Sequence, residues 1–322
     1  MTDSLFQVVL SNAALALALA IVALVVGAIL KRPQLAHLLW LLVLVKLLTP
    51  PVMTIPVITI PEQSVSTVVS LEDYSQPALP LTSNLAERWF ALLDAGKNEL
   101  SLIWLLVSML VFSGSLARIY RFNRLLGLES EAAPQELQTA AAGIADRLGI
   151  KAVPTIYTTA AQISPMVWWI GGNVRVMIPA PLHDQMDSRQ LQWILAHELA
   201  HVRRRDYLVR CIEWLACVCF WWNPVMWWAR YNLRVNEELC CDALVVSSLK
   251  PKPHAYGDSL AKAVEYLAYP TCCPPAIASE INSGGFLKRR FKMIVSDKIY
   301  RPNSRWLQAG VLSCALAVLV LG

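Results

Sequence analysis

Residues 188–205 read SRQLQWILAHELAHVRRR and contain a His-Glu-x-x-His motif, in which His197 and His201 are four positions apart. Asp187 followed three positions later by Gln190 is typical of a helix N-cap, so the segment is predicted to form one helix. On a helix the two imidazoles lie one turn apart on the same face, close enough to bind one Zn²⁺ ion. The motif therefore predicts a zinc site carried by this helix.

The residue types around the motif indicate peptide hydrolysis. Glu198 lies beside both histidines, so its carboxylate can take a proton from a water at the metal without being a ligand. A catalytic zinc ion needs a third protein ligand. Glu238 is the best candidate, with Asp242 one turn further on to orient a ligating histidine. Glu237 points about 100° away on a helix and is weaker, and Cys241 would leave the spacing of Glu238 and Asp242 unexplained.

The composition indicates a membrane protein. Only 16% of the 322 residues are charged and 56% are hydrophobic, with a mean hydropathy of +0.46. A typical soluble domain has roughly 25% charged residues. The formal net charge of +5 is modest and requires no nucleic-acid partner. The eight cysteines form no Cys-x-x-Cys pair, so reduced thiols are expected.

Four apolar segments are predicted to cross a lipid bilayer, three of them within residues 1–121 (about 5–30, 34–49 and 100–117) and the fourth at 305–322. Basic residues follow the first and third segments and precede the fourth. Because such residues flank the cytoplasmic ends of spans, both termini and the acidic loop 62–99 are expected outside. Residues 122–304 are then cytosolic.

The cytosolic block is predicted to be an α+β domain inserted into a multi-pass α-helical membrane protein. Residues 134–148 have helical periodicity, with Gly149 as a stop. Residues 154–159 and 166–178 are rich in β-branched and aromatic residues, and Gly171-Gly172 interrupts the second run. The runs are predicted to be strands, with a hairpin turn at Gly171-Gly172.

A tryptophan-rich segment, residues 211–229, separates the two parts of the predicted zinc site. A single membrane crossing would leave His197 and Glu238 on opposite sides of the bilayer. The segment must therefore cross zero times, as a helix pair beneath the metal site, or enter the membrane and return with Asn223-Pro224 as the reversal point. A preference of tryptophan for the membrane interface favours entry into the membrane, and the packing of a core beneath the metal site favours the helix pair that does not enter it. The sequence supports both interpretations equally.

Three motifs together resemble the BlaR/MecR-type membrane metallopeptidases: residues 197–206 (HELAHVRRRD), 220–224 (FWWNP) and 238–242 (ELCCD). The resemblance covers nearly the whole chain and implies a gluzincin-like domain. It also implies His197, His201 and Glu238 as zinc ligands and Glu198 as the catalytic base. Residues 164–179 would then be an exposed strand region that flanks the cleft and binds a substrate peptide by β-augmentation.

The same resemblance implies a role in signal transduction at the bacterial cytoplasmic membrane. Receptor-type members cleave a cytosolic transcriptional repressor, and often themselves, after an external β-lactam signal. This chain ends at Gly322, directly after the predicted fourth span. It is therefore expected to be the transducer portion of something longer or to sense by other means, and β-lactam recognition is not assigned to it. The basic segment 283–292 is either a self-cleavage region or a solvated flank of the last span.

Two other functions remain open at the level of sequence. One is a housekeeping endopeptidase that clears damaged membrane proteins. The other is a non-catalytic transducer in which zinc is only structural, and Asp206 or Cys241 supplies a fourth ligand that closes the site. If the protein is an enzyme, Asp206 is instead expected to orient a ligating histidine, as Asp242 does. No role is predicted for the remaining histidines, His37, His183 and His254.

Overall fold

The computed structural model describes residues 2–30, 32–49, 97–170, 172–266, 279–280 and 287–295, together with positions 275, 310 and 313. The described helices are α1 (Thr2–Leu30), α2 (Pro33–Leu48), α3 (Lys97–Glu129), α4 (Gln135–Leu148), α5 (Ala180–Gln185), α6 (Ser188–Arg204), α7 (Asp206–Cys219), α8 (Pro224–Leu249), α9 (Pro253–Tyr266) and α10 (Leu287–Val295). The strands are β1 (Ser130–Ala132), β2 (Thr155–Thr159), β3 (Met166–Trp168), β4 (Arg175–Pro179) and β5 (Ser279–Glu280).

Two of the described helices are long and apolar enough to cross a membrane, within residues 12–29 and 98–129. Helix α2 is apolar but shorter, and it packs against α1. Only 22% of the first segment and 6% of the second is buried inside the protein, so most of their apolar side chains face outward. Apart from Gly310 and Ser313, the predicted fourth span lies outside the described residues, as does the loop before Lys97.

Helix α3 extends beyond the predicted end of its span at residue 117 and reaches Glu129. The predicted end of the span is therefore not the end of the helix, because the basic residues after 117 mark a change of environment and not of backbone. In this extension Ile119, Phe122 and Leu126 are buried against the sheet residue Trp168. The helix thus continues into the α+β part as an amphipathic segment.

The sheet has the order β1-β2-β4-β3-β5 among the described strands. Strands β3 and β4 form the predicted antiparallel hairpin, whereas β2 and β4 are parallel. The predicted exposed strand is not free: β3 is fully buried and pairs with β4 on one edge and with β5 on the other. The second edge of β3 is covered because the chain returns to the sheet at Ser279–Glu280 and pairs with it as β5.

The tryptophan-rich segment forms a helix pair, α7 and α8, that reverses at the predicted point. Asn223 caps α8 by accepting a hydrogen bond from the Val225 amide at 2.8 Å, and Pro224 occupies the first turn. The pair shares one apolar core with α1 and α2, which includes Ala20, Val43 and Met226. This shared core attaches the apolar helices to the elements that carry the candidate site.

Candidate metal centre

The His-Glu-x-x-His motif lies on α6, which begins and ends at clear capping signals. The Asp187 carboxylate accepts a hydrogen bond from the Gln190 amide at 2.7 Å, and the Gln190 side chain accepts one from the Asp187 amide, so the predicted N-cap is confirmed. The helix stops at Arg205, whose φ of 60° is left-handed. Between these ends His197 and His201 are fully buried, with ring centroids 5.0 Å apart.

Helix α8 brings Glu238 to the two imidazoles. Its Oε2 lies 3.2 Å from Nε2 of His197, and its Oε1 lies 3.6 Å from Nε2 of His201. Nε2 of His201 and Oε1 of Glu238 are buried and have no hydrogen-bond partner among the described residues. Such atoms are costly to bury unless something binds them. The three side chains form a group that could hold a metal ion, with donor atoms all within 4.8 Å.

This donor set fits Zn²⁺. Two imidazole nitrogens and one carboxylate oxygen are the three protein ligands found at catalytic zinc sites, which keep a fourth position open. The ring edges that carry Nε2 face the shared point, and both rings are held from their opposite edges. The residues present therefore suit the metal that the motif predicts.

A carboxylate supports each histidine from behind. Asp242 Oδ1 is 3.2 Å from Nδ1 of His197, and the Tyr256 hydroxyl contacts both groups, donating to Asp242 at 2.7 Å. Asp206 Oδ2 is 2.9 Å from Nδ1 of His201. These contacts select the tautomer and ring orientation that present Nε2 to a metal. Burial alone would raise the pKa of Asp206, but Arg204 and His201 outweigh it and hold that pKa below its ordinary value.

The two alternative ligands approach His201 from the ring edge opposite Nε2. Glu237 accepts a 2.7 Å hydrogen bond from Arg210, and its Oε1 lies 3.6 Å from Nδ1 of His201. The Cys241 thiol is 3.3 Å from Nδ1 of His201 and 3.4 Å from Asp206, so it lies at the ring edge opposite Nε2. Burial raises the pKa of this thiol well above its ordinary value, which disfavours the thiolate that binds metals. A group of His201, Asp206 and Cys241 is also close enough to hold an ion, but it excludes His197.

Arg290 is part of the site and was missed by the sequence analysis. It comes from α10, in the basic segment, yet it is only 2% exposed. Its guanidinium donates two 2.8 Å hydrogen bonds to Asp242 and lies 3.0 Å from Glu238 Oε2. The only sequence signal was a basic run, Lys288-Arg289-Arg290, which also suits a solvated flank. Arg290 thus supplies the counter-charge of the two buried carboxylates and lies beside the His197 ring, 3.4 Å from each of its nitrogens.

A helix-borne His-Glu-x-x-His motif facing a glutamate from a second helix defines a centre of the metallopeptidase class. Comparison with known proteins supports this class: a family model described as BlaR1 peptidase M56 matches residues 4–294, and the chain belongs to that family.

Curated relatives are similar over part of the chain. Regulatory protein BlaR1 of Bacillus licheniformis is 27% identical over 153 residues, 47% of this chain and 25% of that protein. The methicillin resistance mecR1 proteins of Staphylococcus aureus and Staphylococcus epidermidis are 24% identical over 168 residues, 49% of this chain and 27% of each relative. The matched segments thus cover about a quarter of each relative's length.

Proposed function

We propose that this protein is a membrane-anchored zinc endopeptidase that cleaves a cytosolic regulatory protein during signal transduction. The observation that carries the proposal is the convergence of three buried donor groups, His197, His201 and Glu238. Two of their donor atoms have no hydrogen-bond partner in the part of the chain that the structure describes. Each histidine has its own carboxylate behind it, which is the arrangement of a working metal centre. Membership in a peptidase family supports the same reading.

The chemistry assigns separate tasks to the residues of the site. A zinc ion held there would supply Lewis acidity toward water and toward the scissile carbonyl. Glu198, fully buried beside His197, acts as the general base: its carboxylate takes the proton of the attacking water and passes it to the leaving amine nitrogen. Asp206 and Asp242 keep both imidazoles oriented, and Arg290 balances the charge of Glu238 and Asp242.

The substrate is proposed to be a peptide segment that lies along the sheet beside α6. Strand β3 packs against α6, and its second edge holds β5, an antiparallel segment of the same chain. In the sequence, six residues separate β5 from α10, the helix that places Arg290 in the site. This arrangement favours self-cleavage in the basic segment over a merely solvated flank. An external substrate would replace β5 on the same edge.

The regulatory role is proposed from the relatives. One is called a regulatory protein and the others methicillin resistance proteins, and each is about four times as long as its matched segment. A regulator with a peptidase centre acts by destroying a control protein, so the proposed cytosolic partner is a transcriptional repressor. No direct contact with nucleic acid is included in the proposal.

The proposed location is the bacterial cytoplasmic membrane, with α1, α2 and α3 as spans and the peptidase domain on the cytosolic side. The outward-facing apolar side chains of α1 and α3 suit lipid contact, and α2 packs inside this group against α1. The basic residues at 118, 121 and 124 follow the apolar part of α3, as expected at a cytosolic end. The fourth span and the external termini remain part of this proposal.

The helix pair α7–α8 is proposed to enter the membrane and return. The Trp214 indole donates to Ser115 on α3 at 3.0 Å, and the Trp104 indole donates to the Cys219 carbonyl at 2.9 Å. Ser115 and Trp104 are about 16 Å apart along α3, roughly half of a hydrocarbon core of about 30 Å. Because α3 is an outward-facing apolar helix over this stretch, the tip of the pair reaches the same depth.

The test replaces the proposed base while keeping the ligands. In cells that carry Glu198→Gln, one shortened cytosolic protein seen with the wild type should be absent, and the purified variant should still bind one zinc ion. Loss of a general base lowers the rate by about 10²–10⁴-fold. Glu265→Gln, at an exposed position of α9, is the matched control and should cleave normally. Unchanged proteolysis in Glu198→Gln cells would refute the proposal.

A further inference from the structure

We propose that His37, on α2, is a positioning residue of the zinc centre. Its imidazole holds the Asp206 carboxylate, which in turn orients the zinc ligand His201. The inference rests on the proposed function and adds a link between the apolar helices and the metal. It assigns a role to a histidine for which the sequence predicts none.

The geometry places His37 directly behind the site. Its side chain is 8% exposed, and one of its ring nitrogens belongs to a group with carboxylate atoms of Asp206 and Glu237 that all lie within 4.8 Å of one another. His37 Nε2 is buried without a hydrogen-bond partner among the described residues, and so is Oδ1 of Asp206. Because the His37 ring and the Asp206 carboxylate are neighbours, this buried nitrogen and this buried oxygen can satisfy each other through a side-chain rotation or one shared water.

The other oxygen of Asp206 is already committed to the site. Oδ2 lies 2.9 Å from Nδ1 of His201, 3.1 Å from Nε of Arg204 and 3.4 Å from the Cys241 thiol. All three contacts are made to the same oxygen of the carboxylate. A donor on Oδ1 is what fixes its rotation about the Cβ–Cγ bond, so His37 sets the plane in which Asp206 meets His201.

The helix that carries His37 is built into the bundle. Three positions further along α2, the Trp40 ring packs edge-on against Trp228 of α8, with centroids 5.1 Å apart. Helix α2 also contacts α7, the helix that begins at Asp206. A shift of α2 relative to α7 therefore moves His37 relative to Asp206, and through it the orientation of His201. The apolar helices and the metal ligand are joined by two side chains.

A second metal ion at His37 is the competing reading of the same group. Arg204 lies 3.1 Å from Asp206, and Arg210 lies 2.7 Å from Glu237. Two guanidinium groups already neutralise these carboxylates, and a divalent cation between them would meet like charge at short range. The charges favour a hydrogen-bonding histidine.

The experiment measures zinc binding by the purified full chain in detergent, through competition with a chelator and through the zinc-to-protein ratio. His37→Leu should weaken zinc binding about 10–100-fold, as for other residues that orient a metal ligand. His37→Gln retains a donor near the Nε2 position and should recover most of the affinity. Leu44→Ala, on the same helix and in the same apolar core, should lower thermal stability while leaving zinc affinity unchanged.

Several outcomes would overturn the inference. These are wild-type zinc affinity in His37→Leu, equal weakening in Leu44→Ala, or a second zinc ion that is present in the wild type and absent from His37→Leu. Failure of the proposed function is distinguishable, because either the wild-type chain would bind no zinc, or proteolysis would be unchanged in Glu198→Gln while His37→Leu still weakened zinc binding.

Discussion

At the scale of single residues, His197 couples zinc binding to pH. Burial lowers its pKa and Arg290 lowers it further, but hydrogen bonds to Asp242 and Glu238 outweigh both and raise the pKa to about 9. Zinc binds only the neutral imidazole, so below pH 9 the ion must displace a proton from His197. The pKa of His201 is lowered instead, mainly by burial, so this ring is already neutral.

The expected result is that zinc affinity rises about tenfold per pH unit between pH 7 and about 9 and then levels off. Chelator competition at a series of pH values and constant ionic strength measures this slope. An affinity that is independent of pH over that range would show that His197 does not carry the proton.

Arg290 is expected to be essential for stability although it is not a ligand. Replacing it by Gln leaves Asp242 and Glu238 buried without their counter-charge, and losing one partner of a buried pair costs about 3–5 kcal/mol. Denaturant unfolding of chelator-treated protein measures the loss. Its neighbour Arg289 is exposed, so Arg289→Gln is the matched control and should change stability by less than about 0.5 kcal/mol. Equal losses of unfolding free energy in both variants would show that Arg290 is not the counter-charge of the buried carboxylates.

The site could be predicted from the sequence only where its residues share one helix. The spacing of His197 and His201 on α6, and that of Glu238 and Asp242 on α8, predicted which side chains face the same way, and the structure brings these two pairs together. Arg290 and His37 come from helices far away in the chain. No local periodicity indicates which distant helix packs behind a given carboxylate.

At the scale of elements, the close approach of α9 and α10 sets the position of Arg290. A Cβ atom at Gly257 would lie 2.6 Å from Cε1 of Phe291, the residue after Arg290. Gly257→Ala should therefore push α10 outward and lower the free energy of unfolding by about 1–3 kcal/mol. Gly143→Ala, on an exposed face of α4 with open space around it, should instead stabilise by up to about 1 kcal/mol.

Denaturant unfolding in detergent compares these two glycine variants. If Gly257→Ala were as stable as the wild type, α10 would not be wedged against α9 at this point.

Capping residues made some elements more predictable than others. Helix α6 begins at the predicted place because Asp187 caps it with local hydrogen bonds. Helix α4 ends at the predicted place because Gly149 adopts a left-handed backbone conformation. The end of α3 carries no such signal, so the helix continues to Glu129 where packing against Trp168 supports it. Strand β5 is two residues long and is positioned by its pairing with β3, which local sequence does not indicate.

At the scale of the whole molecule, the depth of the α7–α8 pair is the feature that distinguishes an inserted hairpin from a peripheral one. Trp222 and Trp227 near its tip are 46% and 45% exposed. In vesicles with brominated acyl chains, which quench fluorophores within the bilayer core, replacing both by Phe should reduce the quenchable tryptophan emission. Replacing Trp169 and Trp193 of the peptidase domain by Phe should leave it unchanged. The opposite pattern would place the hairpin tip in water.

The most direct test of the whole account is the X-ray absorption spectrum of the zinc-loaded chain at the zinc edge. A centre formed by His197, His201 and Glu238 predicts two imidazole nitrogens at about 2.0–2.1 Å, oxygen at about 2.0–2.2 Å from the glutamate and from water, and no sulfur. Glu238→Ala should lose the ion or change this shell, whereas Glu237→Ala should still show the wild-type shell. A sulfur ligand at about 2.3 Å, or a spectrum unaffected by Glu238→Ala, would contradict the proposed centre.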